Sequence, residues 1–164
     1  MIGRLRYMID DTFHLPARSG PPPRTSGPAP HQQVTQNAPR ELQAELFARV
    51  LSLPGVQDDA SRLSVEGARA FTLERKMTHG PADAFMVGNE FAHLHPQYDG
   101  SLHLRLEPAV AREVVAQGWG EPHPIARTWP GPPVLMIFGP RDTAELDVIT
   151  RIVTLSYELA RGPL

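Results

Sequence analysis

The sequence predicts an α+β fold in which a mostly antiparallel sheet carries about three helices packed on one face. Three observations favour this class. Apolar residues recur at helical spacing near both ends of the main body, several shorter segments have the alternating or continuously apolar pattern of strands, and the pair Asp99-Gly100 joins two of these strands as a tight turn does. Helices that flank a run of hairpin-connected strands are typical of α+β domains.

The composition of the chain changes near residue 39. Residues 1–38 are rich in Pro, Gly, Ser and Gln and poor in branched apolar side chains. Such a segment buries too little surface to offset the entropy of ordering it, which predicts a flexible or strap-like leader. Residues 39–164 are predicted to form one domain, because the whole chain of 164 residues is about one domain long.

The first predicted helix runs from about residue 39 to residue 53. Pro39 suits the first helical position, the pair Pro54-Gly55 ends the helix, and the apolar residues recur at intervals of three and four: Leu42, Leu46, Val50 and Leu53. Two extended segments are predicted to follow. They are RLSVEG, residues 62–67, and ARAFTLERKM, residues 68–77, the second with imperfect alternation.

A β-hairpin is predicted over residues 85–106, where PQYDG separates AFMVGNEFAHLH from SLHLRL. Alternation in the second strand places His103 opposite to the leucines. In the first strand Phe91, His93 and His95 are predicted to share one side. If the polar sides of the two strands coincide, the three histidines lie on one wall of the sheet.

The remainder of the chain is predicted to contain two helices and two strands. Pro108 begins a short helix that Gly118 ends, with Val110, Val114 and Val115 on its buried side. GWGEPHPIAR leads into a strand, and PVLMIFG is a continuous apolar strand of the kind that is covered on both faces. Asp142 and Glu145 have the spacing of a helix cap, and a long apolar stripe follows them up to Gly162: Leu146, Ile149, Ile152, Val153, Tyr157 and Ala160.

Composition and charge exclude several function classes. The net charge of −2 gives no electrostatic footprint for nucleic acid. The absence of cysteine excludes disulfides, thiolate metal sites and cysteine nucleophiles. The sequence contains no apolar run long enough for a membrane span and no signal peptide, so we expect a soluble, cytoplasmic protein whose partner is a small molecule. Homo-oligomerisation stays open.

His93, His95, His103 and His123 are the candidate catalytic residues. A histidine with a pKa near neutrality can accept a proton from a bound small molecule, and a second histidine can donate one. A structural reading, in which each ring is simply hydrogen-bonded within the sheet, is about equally favoured. A metal site is a third reading, because His-x-His with a neighbouring histidine and a carboxylate is a ligand set for iron, manganese or nickel. The glutamate and glycine spacing of cupins is missing, so no metal is expected, while zinc with three histidines and water stays open on ligand type.

Further side chains are candidates for substrate binding. Glu90 and Asp99 adjoin the histidines, and the guanidinium of Arg141 precedes a helix N-terminus, where it could hold an enolate or carboxylate oxygen. The aromatic candidates are Trp119, Trp129 and Tyr157. Trp119 and Trp129 could each form a wall for an aromatic substrate, although tryptophan is equally often a core residue. Tyr157 falls on the apolar stripe of its helix, and its hydroxyl could reach the pocket.

Three segments resemble a known family in their order and spacing. NEFAHLHPQYDGSLHLRL, GWGEPHPIAR and IFGPRDTAELDVITRIVTLSYELA are similar to the luciferase domain of the fungal bioluminescence enzymes and its bacterial relatives, over roughly residues 40–160. For the fungal members the resemblance implies oxygenation of a hydroxypyrone, 3-hydroxyhispidin, by O2 without a metal or organic cofactor. The product loses CO2 and is left in an excited state.

These observations together give one leading hypothesis and two alternatives. The leading hypothesis is oxidation of a hydroxypyrone-like or aromatic enol by O2, without a cofactor and with molecular oxygen as co-substrate. His95 or His103 is then the leading base, and Arg141 or His123 holds the anion. The first alternative is a small-molecule-binding or structural domain of the same family without turnover. The second is a His-ligated, metal-dependent oxygenase.

Overall fold

A computed structural model describes residues 13–163 of the chain. Within that range it contains three α-helices and a sheet of six strands. In chain order the elements are α1 (Arg40–Leu51), β1 (Val56–Ala60), β2 (Arg69–Leu73), β3 (Glu90–Leu94), β4 (Leu102–Arg105), α2 (Pro108–Ala116), β5 (Gly120–Pro122), β6 (Val134–Ile137) and α3 (Thr143–Arg161). None of the helices in the described part of the chain is long and apolar enough to cross a membrane.

The sheet is antiparallel throughout, in the order β1-β2-β3-β4-β6-β5. The predicted α+β fold class is therefore confirmed. α1 and α3 contact each other and one face of the sheet, and α2 adds Val110 and Val114 to the same apolar core. The opposite face of the central strands carries the histidines.

The last helix forms as the sequence predicts. The side chain of Asp142 accepts a hydrogen bond from the backbone N–H of Glu145 at 2.8 Å, which satisfies one of the free N–H groups at the helix start. Gly162 follows the helix with a φ of +72°, which residues other than glycine adopt at a cost. All six residues of the predicted apolar stripe are buried: Leu146, Ile149, Ile152, Val153, Tyr157 and Ala160.

The predicted strand at residues 62–67 is wrong. The strand before β2 is instead Val56–Ala60, which pairs with β2 from Val56 opposite Leu73 to Ala60 opposite Arg69. Four of its five residues are exposed because it is an edge strand, and its polar sequence VQDDA has no apolar alternation to mark it. RLSVEG forms turns that end at Gly67, whose φ is +87°.

Two side-chain orientations also differ from the prediction. Val115 is 39% exposed, and Ala111 takes the expected place on the buried side of α2. Phe91 does not share the side of His93, because the register between β2 and β3 shifts at Phe71/Thr72 and adds one residue to β3. A β-bulge of this kind turns one side chain to the other face, so Phe91 packs in the core against Phe71 and Tyr157.

The described part of the leader, residues 13–38, lies against the domain, while its first twelve residues are outside the described range. Leu15 is buried in the apolar core. The backbone oxygen of Pro16 accepts a hydrogen bond from the indole N–H of Trp119 at 2.7 Å. Further along, residues 28–31 cross the histidine face of the sheet, which makes the leader one wall of a cavity described below.

Candidate functional site

Three histidine rings meet on the face of the β3–β4 hairpin that is turned away from the helices. His93 is paired directly with His103 across the two strands, and His95 follows at the end of β3. Their ring centroids are 4.5 to 5.4 Å apart. The Nε2 atoms of His93 and His95 each lie 3.1 Å from Nδ1 of His103. All three side chains are buried, so three ring nitrogens converge on one small volume inside the protein.

Each of the two histidines of β3 has a buried carboxylate on its other ring nitrogen. Nδ1 of His93 is 2.8 Å from Oε1 of Glu90, and Nδ1 of His95 is 2.9 Å from Oδ2 of Asp99. The bulge that sends Phe91 into the core is what brings Glu90 within reach of His93. Glu90 accepts the ring N–H of His93. Nδ1 of His95 also lies 2.9 Å from Oγ of Ser101, which donates to Asp99 and can accept the ring N–H of His95. With the proton on Nδ1, each of the two imidazoles directs its Nε2 lone pair toward His103.

The third histidine, His103, is connected to the leader. Its Nε2 lies 3.0 Å from Nδ1 of His31, and Nε2 of His31 lies 2.6 Å from Oε1 of Glu121. Thr25 donates a hydrogen bond to the same carboxylate oxygen at 2.7 Å. His103, His31 and Glu121 therefore form a continuous chain of hydrogen-bonding groups from the buried cluster toward the surface, where Glu121 is partly exposed.

His123 reaches the group from the loop after β5. Its ring centroid is 4.7 Å from that of His103 and 5.0 Å from that of His31. Its Nδ1 accepts backbone N–H groups of Ile125 and Ala126 at 3.2 and 3.3 Å. In the neutral ring the proton must then be on Nε2, so His123 presents a donor to its surroundings. The indole of Trp129 stacks on the far side of this ring.

Burial sets the charge state of this group of rings. Desolvation, reinforced by the surrounding imidazoles, holds the pKa of His103 well below its usual value. Desolvation also lowers the pKa of His93, although the hydrogen bond to Glu90 opposes the shift. The same cause lowers the pKa of His123 to about 4. Burial raises the pKa of Asp99, but hydrogen bonds from His95 and Ser101 outweigh it and the pKa falls. At neutral pH these rings are uncharged and Asp99 is ionised.

A cavity of about 320 Å³ adjoins the cluster, within the size range of small-molecule pockets. Its polar lining residues are five histidines and one serine: His31, His93, His95, His103, His123 and Ser64. Its apolar lining residues come from the leader and three loops: Pro28, Ala29, Pro30, Leu63, Val65, Met86, Ile125 and Trp129. A larger but more open hollow of about 500 Å³ lies between β1 and residues 61–69, and none of the histidines lines it.

Some of the candidate substrate-binding residues lie away from this cavity. Trp119 is buried in the core with its N–H on Pro16, and Tyr157 donates its hydroxyl to the backbone oxygen of Pro54 at 2.8 Å. Arg141 forms an ion pair with Glu145 and donates to the backbone of the leader. Glu90 and Asp99 contact histidines of the cluster, while the cavity lining contains neither of them.

Two residues that sequence reasoning missed complete the cluster. Glu121 lies two positions before His123 in the segment GWGEPHPIAR, so the motif itself could have identified it. His31 stands alone in a proline-rich segment without any periodic pattern, and nothing local marks it. Only its contact with His103 reveals its place in the group.

Two sets of three histidines bring donor atoms close enough to hold a metal ion. One set is His93, His95 and His103, and the other is His31, His103 and His123. Within each set, one donor atom per residue lies within 4.8 Å of the others. The sets share His103, so a single ion at His103 Nδ1 uses the first set and one at Nε2 uses the second.

Comparison with known proteins places these residues in a family. Residues 88–156 match the family model described as Luciferase domain, and this range contains the hairpin, His123 and most of α3. The luciferase of Armillaria ostoyae is 32% identical over 161 residues and that of Armillaria gallica 33% identical over 160 residues, covering 87% of this chain in both cases. The luciferase of Neonothopanus nambi is 40% identical over 70 residues, which cover 41% of this chain and 26% of the relative.

The chain spans 59% of the length of the Armillaria luciferases that it matches. No solved structure matches it. The matched region coincides with the strands that carry the histidine cluster, so the family likeness and the geometry concern the same part of the molecule. The protein therefore carries a luciferase domain and belongs to the same domain family as the fungal luciferases.

Proposed function

We propose that the domain oxidises a small acidic enol, of the hydroxypyrone or aromatic type, with O2 in the cavity beside the histidines. The observation that carries this proposal is the cavity itself, whose lining combines five imidazoles with apolar side chains. Such a lining suits a small, largely apolar molecule that carries oxygen atoms for the imidazoles to contact. The name Luciferase, carried by the relatives, supports an oxidation that consumes O2.

His123 and Trp129 are the side chains best placed to orient the substrate. The indole offers an apolar face at the cavity wall, and Nε2–H of His123 offers a donor to an enolate oxygen. Its low pKa keeps this ring neutral at pH 7, so it stabilises the anion as a hydrogen-bond donor. The role of anion holder, which the sequence left open between His123 and Arg141, is thus assigned to His123.

Loss of the enol proton is the step that the imidazoles of the lining would assist. Only the electron-rich enolate readily transfers an electron to triplet O2, and a dry cavity then protects the reduced oxygen species from side reactions. His95 and His103 are the two candidate bases, and His95 is the leading one because burial holds the pKa of His103 well below its usual value and weakens that ring as a proton acceptor. In both rings, each nitrogen lies within hydrogen-bond distance of a neighbouring group. A proton taken from the substrate would therefore enter the hydrogen-bond network where the nitrogens of His95 and His103 meet.

The test is O2 uptake and light emission with 3-hydroxyhispidin as substrate. We expect the intact protein to consume O2, and we expect His95→Ala and His103→Ala to lower the rate by about 100-fold or more, the usual contribution of a positioned base. His14→Ala is the matched control, since the side chain of His14 is 75% exposed and lies outside the cavity.

Two outcomes would contradict the proposal in different ways. Substrate binding without O2 uptake, measured by fluorescence or calorimetry, would indicate the non-catalytic alternative. Full activity in both folded histidine variants would remove the cluster from the reaction. Circular dichroism of each variant establishes that the fold is intact before the rates are compared.

A further inference from the structure

We propose that His93, His95 and His103 bind one divalent first-row transition-metal ion, through Nε2, Nε2 and Nδ1 respectively. Imidazole nitrogens suit zinc, iron, copper and nickel, and three of them leave open positions on the ion for a ligand from the cavity. The expectation of a domain without metal rested on cupin spacing and on family resemblance. The contacts of these three rings lead to the opposite inference.

The distances between the ring nitrogens suit an ion. Three nitrogens at about 2.0–2.1 Å from a metal lie about 2.9–3.4 Å from one another in octahedral or tetrahedral geometry. Here His103 Nδ1 is 3.1 Å from the Nε2 atoms of both His93 and His95. Pairing of β3 with β4 fixes the backbone positions of His93 and His103 relative to each other. Little rearrangement is therefore needed to reach this geometry.

The opposite nitrogens of the rings have the partners that metal-bound histidines require. A ligating histidine almost always donates its other N–H to a carboxylate, a carbonyl or water, which fixes the tautomer. Glu90 accepts from His93, and Nδ1 of His95 faces both Oγ of Ser101 and the carboxylate of Asp99, to which Ser101 donates. For His103, Nε2–H can donate to Nδ1 of His31. All three lone pairs then point to one place.

The number of protons that His103, His31 and Glu121 need favours an ion between His103 Nδ1 and the Nε2 atoms of His93 and His95. Without an ion, a proton must separate His103 Nδ1 from the facing Nε2 atoms. If His103 carries it, Nε2 of His103 becomes an acceptor and His31 must donate from both ring nitrogens, one of which lies 2.6 Å from Glu121. If His93 or His95 carries it, that ring holds a proton on both nitrogens. Either arrangement needs one proton more than neutral rings and ionised carboxylates supply. With an ion on His103, every group keeps an ordinary neutral tautomer or ionised carboxylate.

The buried charge also fits a divalent ion. Glu90 and Asp99 are 2% and 0% exposed, and within residues 13–163 their ion-pair partners are His93 and His95 rather than lysine or arginine. Hydrogen bonds from Ser61 to Glu90 and from Ser101 and Gln33 to Asp99 offset part of the cost of burying these carboxylates, and a cation would offset more of it. An ion of charge +2 between the two histidines would balance both.

The second set of histidines is a poorer site. His123 accepts two backbone N–H groups at Nδ1, so its proton is on Nε2, the nitrogen that would have to bind the ion. His31 uses Nε2 for Glu121 and Nδ1 for His103. The two sets therefore make different predictions, because only the first depends on His93 and His95.

This inference rests on the same cavity as the proposed function and changes one step of it. His93, His95 and His103 all line the cavity, so an enolate oxygen bound there could reach an ion held by the three rings. The charge of the ion would then stabilise the enolate, in place of a proton accepted by the rings. Metal binding is measured without substrate, so it can succeed or fail independently of O2 uptake.

The experiment uses the full chain without an affinity tag, because a histidine tag binds the same metals. The metal content of the purified protein is measured by mass spectrometry, and the chelator-treated protein is titrated with Zn²⁺ and with Co²⁺, whose visible absorption reports nitrogen coordination. We expect about one ion per chain. Glu90→Gln and Asp99→Asn should weaken binding about 10–100-fold, as loss of the carboxylate partner of a ligand does.

Histidine variants distinguish the two sets. His93→Ala and His95→Ala should abolish Co²⁺ absorption, while His123→Ala and the exposed control His14→Ala should keep it. Loss of the signal in His123→Ala but not in His93→Ala would overturn the assignment. A folded, intact protein that takes up neither Zn²⁺ nor Co²⁺ would overturn the site itself. A metal-bound protein that leaves 3-hydroxyhispidin unoxidised would refute only the proposed function.

Discussion

The histidines illustrate how partners, rather than residue type, decide the chemistry of a side chain. Nδ1 of His95 faces Ser101 and Asp99, so a proton on Nδ1 directs the Nε2 lone pair of this ring inward. His123 accepts backbone N–H groups at Nδ1 and so directs a proton toward its other neighbours. The two rings are chemically identical as free side chains. In the folded domain one is suited to bind a proton or an ion, and the other to hold an anion.

Tyr157 provides a test at the residue scale, because its position separates a structural role from substrate binding. Its ring packs against Phe91 in the core and its hydroxyl donates to Pro54 at 2.8 Å. We expect Tyr157→Phe to lower the free energy of unfolding by about 0.5–1.5 kcal/mol, the net contribution of one hydrogen bond. Urea denaturation measures the loss.

The same variant should leave KM and kcat for the enol substrate unchanged, since Tyr157 does not line the cavity. Trp129→Ala serves as the comparison, because the indole does line it and its removal should raise KM. A raised KM in Tyr157→Phe with an unchanged free energy of unfolding would instead indicate that Tyr157 contacts the substrate.

At the scale of elements, the β-bulge in β3 decides which side chains lie on each face of the sheet. The extra residue between Glu90 and Ala92 lets Phe91 join the core while Glu90 stays with His93. A regular strand would place Phe91 among the histidines. The bulge therefore supplies a core aromatic and a carboxylate partner from adjacent positions.

Asp142 is the residue on which the start of α3 depends. Its side chain is the acceptor for the N–H of Glu145, and α3 covers the core behind the histidine strands. We expect Asp142→Ala to lower the free energy of unfolding by about 0.5–2 kcal/mol because a helix N–H loses its partner. Thermal and urea denaturation check this expectation.

Asp142→Ser is the matched control, since serine keeps an oxygen acceptor at the cap and should be close to the original stability. Equal destabilisation by alanine and serine would mean that the carboxylate acts through charge near Arg141 rather than through the cap.

At the scale of the whole molecule, the leader and the domain form one unit over the described residues. The leader places Leu15 in the core, Pro16 on Trp119 and His31 on His103. Removing it would therefore both expose apolar surface and open the cavity. The segment that is least like a folded sequence contributes directly to the candidate site.

Deletion of residues 1–36 tests this integration. We expect the free energy of unfolding to fall by about 2–4 kcal/mol, from the lost burial of Leu15 and the lost hydrogen bond to Trp119. O2 uptake should fall as well because His31 is removed. Deletion of residues 1–12 is the control, since Leu15, Pro16 and His31 remain. Unchanged stability and activity in the longer deletion would show that the leader is dispensable.

The sequence predicted a large part of the fold because short-range rules govern those elements. Apolar spacing and a cap define α3, and the Asp99-Gly100 turn with alternating strands defines the β3–β4 hairpin. The edge strand β1 escaped prediction, because the polar residues of VQDDA are held by pairing with β2 rather than by burial. Val115 was misplaced because a short helix buries only a narrow stripe.

By itself the sequence determined most of the elements, a mostly antiparallel sheet and the presence of His93, His95 and His103 on one hairpin, since strand alternation and a two-strand turn act over a few residues. Only the tertiary structure decided that Glu90 faces His93, that His31 and Glu121 extend the cluster, and that Arg141, Trp119 and Tyr157 lie elsewhere. The physical reason is distance along the chain. His31 and His103 are separated by 72 positions, and no local pattern encodes a contact that forms only when the leader packs across the sheet.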